Sequence, residues 1–149
     1  MTDRDPQTLA EACRDALWAE DDAAKALGVT IDAVGPGTAR ASLTITRTMA
    51  NGHGDCHGGY IFCLSDMAFA YACNSYGPRV VAQHCSVTFL APAKVGETLT
   101  ATATETARWG RNGLYDISIH GEDGRLVAEF RGHSRQISGH LLDGKEETR

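Results

Sequence analysis

Residues 51–75 read NGHGDCHGGYIFCLSDMAFAYACNS, and from Tyr60 to Cys73 every position except Ser65 and Asp66 is apolar or aromatic. A run of that length without a polar stripe is a helix buried on every side, not a surface helix. Asp66 is its only charge. Three and four residues to either side stand Cys63, Phe62, Phe69 and Ala70, so no basic partner shares its face. A buried carboxylate without a partner is costly, and proteins keep one where it is paired, bound or used. Gly58 and Gly59 open the helix, leaving free backbone N–H groups and the positive end of its dipole beside His57.

The chain has 149 residues, enough for one domain with its own core. Its formal net charge of −5 argues against wholesale nucleic-acid binding and leaves room for a local basic pocket. Five cysteines without a disulfide framework or a paired Cys-x-x-Cys point to a reducing, cytoplasmic setting. The N-terminus has no apolar signal region, and no stretch approaches the roughly 20 apolar residues that cross a bilayer.

Outward from the central helix, residues 6–19 carry Leu9, Cys13, Ala16 and Leu17 at helical spacing, with Asp5 before Pro6 as a cap. A short second helix over 22–27 ends at Gly28, and a strand over 29–34 leads into the turn Gly35-Pro36-Gly37. Ala39, Ala41, Leu43 and Ile45 then alternate with polar residues, as a half-buried strand requires. After the central helix the chain reads as strands at 80–90, 98–109, 114–120 and 126–137, separated by turn-forming residues. The expected organisation is an N-terminal helical extension over 1–21, a domain over 22–137 and a polar, frayed tail over 138–149. The expected fold is α+β, an antiparallel sheet wrapped around one long helix.

Asp66 and the Gly58-Gly59 end cannot meet at one carbonyl within a chain, because they lie roughly 10–12 Å apart along the helix axis. Two antiparallel helices across a two-fold axis bring the start of one beside the middle of the other and make two identical composite sites. An oxyanion then faces the Gly58 or Gly59 N–H while Asp66 of the other chain acts as base or nucleophile.

Each group also has a plainer reading. Asp66 can simply bond a neighbouring donor, and Asn51 begins an Asn-Gly turn. His53, Cys56 and His57 lie close together, but no second Cys/His cluster follows to complete a zinc site, so no metal is expected. Cys56 beside His57 is not by itself a nucleophile–base pair. His84 reads as a structural strand histidine. The basic clusters at 108–113 and 131–135 read as solvated charge unless a phosphate-bearing substrate uses them.

The ordered pattern Asn51-Gly-His53-x-x-Cys56-His57-Gly58-Gly59, followed by Phe62, Leu64, Asp66 and Ala68 to Asn74, resembles the hotdog-fold acyl-CoA thioesterases of the phenylacetic-acid-degradation group, the PaaI type. The likeness runs from about Asp22 to Ile137 and takes in the corner Phe89-Leu90-Ala91-Pro92 and the strand Tyr115-Asp116-Ile117. It implies a hotdog fold and hydrolysis of a phenylacetyl-type CoA thioester without a cofactor, in aromatic catabolism. Asp66 would activate water or attack directly, the Gly58 N–H would hold the oxyanion, and Asn51 and His57 would position the thioester from the facing subunit. Substrate would also touch Gly59, and CoA would pass Arg108, Arg111, Asn112 and Gly113 and then Arg131, His133 and Arg135. The resemblance implies a homodimer that pairs into a homotetramer. Some relatives place a serine near the start of the strand after the helix, where this chain reads Val81-Ala82-Gln83, leaving Gln83 as a weak substitute. A non-catalytic acyl-CoA-binding protein and a hotdog dehydratase or hydratase are the competing classes; the second normally needs a paired Asp and His not evident here.

Overall fold

The structure, a computed structural model, describes residues 4–144. Helix α1 (Pro6–Glu20) starts where Asp5 accepts the N–H groups of Gln7 and Thr8, and α2 (Asp22–Leu27) ends on Gly28 at φ +88°, a left-handed conformation suited to glycine. Strands β1 (Thr30–Gly35) and β2 (Thr38–Thr44) form a hairpin, and a 3-10 turn (Arg47–Met49) leads to helix α3 (Gly58–Cys73). Strands β3 (Pro78–Phe89), β4 (Thr98–Trp109), β5 (Asn112–His120) and β6 (Leu126–His140) complete the chain.

The six strands form one antiparallel sheet in the order β1-β2-β4-β5-β6-β3, and α3 lies across one face of it. Alternation sorts the strands as the sequence requires: Tyr115, Ile117 and Ile119 of β5 and Phe130 of β6 point at α3 and are buried. Phe69 sits among them, its ring centroid 5.5 Å from Tyr115 and 6.1 Å from Phe130. The expected α+β wrap around a central helix is present. Helix α1 packs on the sheet edge, with Ala10 and Cys13 buried and the Gln7 side-chain amide donating to the Val34 carbonyl at 2.8 Å.

The sheet covers one side of the helix and leaves the other open, where Gly59 and Cys63 are exposed and Asp66 and Ala70 half-buried along one stripe. One expectation needs correction: the frayed tail does not begin at residue 138. Strand β6 runs to His140, and Leu141 is buried with its N–H on the Gly77 carbonyl at 2.9 Å. The reason is pairing: His140 lies opposite Pro78 at the start of β3, and a strand's extent follows its neighbour as much as its own hydropathy. Residues 1–3 and 145–149, parts of the expected extension and tail, lie outside the described residues.

Candidate active site

The approach to α3 is laced by backbone bonds. The Asn51 side-chain oxygen accepts the N–H groups of His53 and Asp55 at 2.9 and 3.2 Å, Cys56 N–H reaches the Ala93 carbonyl and His57 N–H the Met49 carbonyl, both at 2.8 Å. Asn51 is therefore a turn former, and its amide NH₂ is left over for another task. His57 occupies the N-cap with an exposed side chain that caps nothing. The N–H groups of Gly58 and Gly59 have no acceptor among the described residues. Beside them lies a groove of about 470 Å³ walled by Asn51, Gly58, Ile61, Phe89 and Leu90. A Cβ on Gly58 would stand 2.8 Å from the tip of the Phe89 ring, so glycine lets that half-exposed ring lie close against the helix start. Burial pushes the Cys56 thiol up to about 11, which keeps it protonated at neutral pH and unsuited to nucleophilic attack.

Asp66 lies on the open stripe of α3, about 12 Å along the axis from Gly58. Its carboxylate has no hydrogen bond or ion pair among the described residues. Burial raises its pKa above the ordinary 3.8, because a charge is poorly solvated there. Its surroundings are thiols: burial first and then the Asp66 charge push Cys63 and Cys85 upward. The β3 residue that faces Asp66 is thus Cys85. Gln83 sits at an irregularity in β3, exposed, with its amide 3.5 Å from the Asn112 side-chain oxygen. A carboxylate of raised basicity, open on one side, can take a proton from water or attack a carbonyl.

The remaining candidates divide by where they lie and by what they already hold. Arg108 bonds Glu105 at 3.2 Å and lies 3.5 Å over the Tyr76 ring, and Arg131 makes two bonds to Asp116 at 2.7 and 3.0 Å. Arg111 and Arg135 are exposed and have no ion-pair partner among the described residues. They are neighbours, because Asn112 pairs with Arg135 and Gln136 N–H bonds the Arg111 carbonyl at 2.8 Å. His133 packs edge-on to His84 at 5.4 Å on the outer sheet face, whereas Gly113 is buried on the inner one. A cavity of about 280 Å³ at the far end of α3 is walled by Cys73, Tyr76, Arg111, Asn112, Tyr115 and Ser134. Ser134 was not among the sequence candidates, yet counting by twos from Phe130 puts it on the inward face.

In one chain, then, Asn51, His57, Gly58 and Gly59 stand at the start of α3, Asp66 near its middle and the 108–113 turn beyond its end, while Arg131, His133 and Arg135 alternate onto the outer face of β6. The profile of the thioesterase superfamily matches residues 53–128. The chain is 47% identical to the acyl-coenzyme A thioesterase PaaI of Escherichia coli (strain K12) over 124 residues, 83% of this chain and 89% of that protein. The structure of the E. coli PaaI protein from the phenylacetic acid degradation operon superposes with a TM-score of 0.90 at 43% identity, covering 91% of this chain and 99% of that one. A mutant of the phenylacetic acid degradation protein PaaI from Thermus thermophilus superposes with a TM-score of 0.75 at 32% identity, over 78% of this chain and 100% of that one.

Proposed function

The chain belongs to the thioesterase superfamily, and on that premise we propose that it hydrolyses phenylacetyl-CoA or a related aromatic acyl-CoA to the free acid and CoA. The observation that carries this reading is Asp66, an unpartnered carboxylate of raised basicity on the one open stripe of a buried helix. The name of the E. coli relative supports CoA thioesters as the substrate class, and its operon supports the phenylacetyl group. The groove beside Gly58 has an apolar wall that suits an aromatic acyl group, because Phe89 and Leu90 are 50% and 53% exposed there.

The working unit is a dimer in which α3 of one chain runs antiparallel to α3 of the other. The thioester carbonyl lies between Asp66 of one chain and the Gly58 end of the other. Asp66 either removes a proton from the attacking water or attacks the carbonyl carbon itself. The developing negative charge on the carbonyl oxygen is held by the Gly58 N–H, with Gly59 beside it. The C–S bond then breaks and CoA leaves as the thiolate, taking up the proton Asp66 removed from water or, on the direct route, one from solvent; on that route water then hydrolyses the acyl–Asp66 anhydride to release the acid and restore the carboxylate. Asn51 and His57 position the thioester from the chain that supplies the oxyanion donor. The CoA phosphates are held chiefly by Arg111 and Arg135, whose charges are unspent, with Asn112, Gly113 and His133 alongside; Arg108 and Arg131 already have carboxylate partners. The five cysteines, all free thiols, fit a reducing cytoplasm, and pairing of dimers into a homotetramer completes the proposed assembly.

The test is release of CoA from phenylacetyl-CoA by the wild type and by Asp66→Asn. The amide fills the same volume but is neither base nor nucleophile, so turnover should fall by about 10³-fold or more with the fold retained. Turnover by the variant equal to wild type removes Asp66 from the mechanism. Single turnover in ¹⁸O-labelled water that leaves label in the Asp66 carboxylate identifies direct attack with water cleaving the anhydride at the Asp66 carbonyl, and rapid-quench trapping of an acyl–Asp66 adduct covers cleavage at the other carbonyl.

A further inference from the structure

Ser134 is 3% exposed, and its hydroxyl has no hydrogen-bond partner among the described residues. It interrupts the inward row of β6, in which Ala128 and Phe130 are buried against α3. The residue is buried but its oxygen is not sealed off, and the hydroxyl, left unbonded among the described residues, faces open space. The hydroxyl lines the 280 Å³ cavity at the end of α3, whose wall also includes the Asn112 and Gln136 side chains. Gly113 keeps the space beside it clear, because a Cβ there would stand 2.5 Å from the Ser134 oxygen.

The cavity has a direction. At its rim is Arg111, a guanidinium group without a carboxylate partner among the described residues. At its inner wall is Cys73, two helical turns or about 10 Å along α3 from Asp66 and on the same face. Half-buried Ala70 lies between them on that face, with only a methyl group to pass. A molecule with anionic groups at one end, a flexible arm bearing amides and a reactive carbonyl at the other matches this sequence of surroundings.

We propose that this cavity receives the pantetheine arm of CoA and that the Ser134 hydroxyl hydrogen-bonds the arm's distal amide, making Ser134 a binding residue that sets how far the thioester reaches toward Asp66. The inference rests on the thioesterase reading above and names which part of the substrate the cavity takes. With the carbonyl at Asp66, the cysteamine amide falls short of the cavity. The amide on the pantoyl side lies within it.

The experiment compares three thioesters of phenylacetic acid, made with CoA, with pantetheine and with N-acetylcysteamine, on the wild type, Ser134→Ala and Arg111→Ala. Ser134→Ala should raise KM about three- to tenfold for the CoA and pantetheine thioesters, the usual range for one lost hydrogen bond, and leave the N-acetylcysteamine thioester within about twofold. Arg111→Ala should raise KM for the CoA thioester alone. The thermal midpoint of Ser134→Ala should stay within a degree or so of the wild type, about the noise of the measurement, since the hydroxyl has no bond to lose among the described residues and opens into the cavity. An equal loss on all three thioesters places Ser134 against the acyl group or in the fold and overturns the proposal. No loss on any of them means the hydroxyl meets only solvent in the cavity and also overturns it. Asp66→Asn, assayed on the same three thioesters, tests the underlying mechanism separately: its activity would end the Asp66 reading while the Ser134 comparison still locates the arm.

Discussion

Asp66 shows how position within a helix sets the chemistry of a single group. Its pKa is raised by burial, so the folded state holds the proton more tightly than the unfolded chain does. That contribution to stability is fully present below the unfolded pKa and is lost as pH rises through the folded one. At neutral pH the charged carboxylate therefore works against folding. Asp66→Asn, besides losing turnover, should melt higher than the wild type by about 1–3 °C near pH 7, and the gain should vanish in acid where both chains are neutral. Paired thermal melts across that range check it; a lower melting point at neutral pH would mean the carboxylate has a stabilising partner. The same shift predicts that the acid limb of the pH–rate profile lies above the ordinary aspartate value, because only the ionised form can accept a proton or attack.

Helix α3 depends on one absence in the strand beneath it. Gly132 of β6 lies under the Phe69 ring, and a Cβ there would come within 2.7–2.8 Å of it. Phe69 is 1% exposed and wedged between Tyr115 and Phe130, so it cannot move aside. Gly132→Ala should destabilise the protein by about 1–3 kcal/mol, read as a lower denaturant midpoint with an unchanged slope. The sequence shows α3 plainly, since the apolar run and the two glycines set its limits. It also shows which residues of β5 and β6 alternate inward. It does not show that β3 pairs with β6 across some fifty residues, because alternation assigns faces and not neighbours. For the same reason the end of β6, the approach of Cys85 to Asp66 and the isolation of Ser134 emerge only in three dimensions. Asp66, Gly58 and Asn51 stood out because their types are unusual for their places; a serine in a Gly-His-Ser tract does not.

The whole molecule ends on one side with β3, whose far edge is unpaired among the described residues and on which Val81 is 44% exposed. An open edge next to the open stripe of α3 is a surface a second copy can complete. Mixing Asp66→Asn chains with Asn51→Ala chains should restore activity: half of randomly exchanged dimers are hybrids, each with one intact site of two, giving about a quarter of wild-type turnover. No recovery after verified exchange argues against a shared site. The edge has a further consequence. A chain that borrows half its chemistry from another obeys mass action, so catalytic power per subunit is a function of concentration and not a constant of the molecule. On serial dilution, specific activity should fall below a threshold set by the dimer dissociation constant.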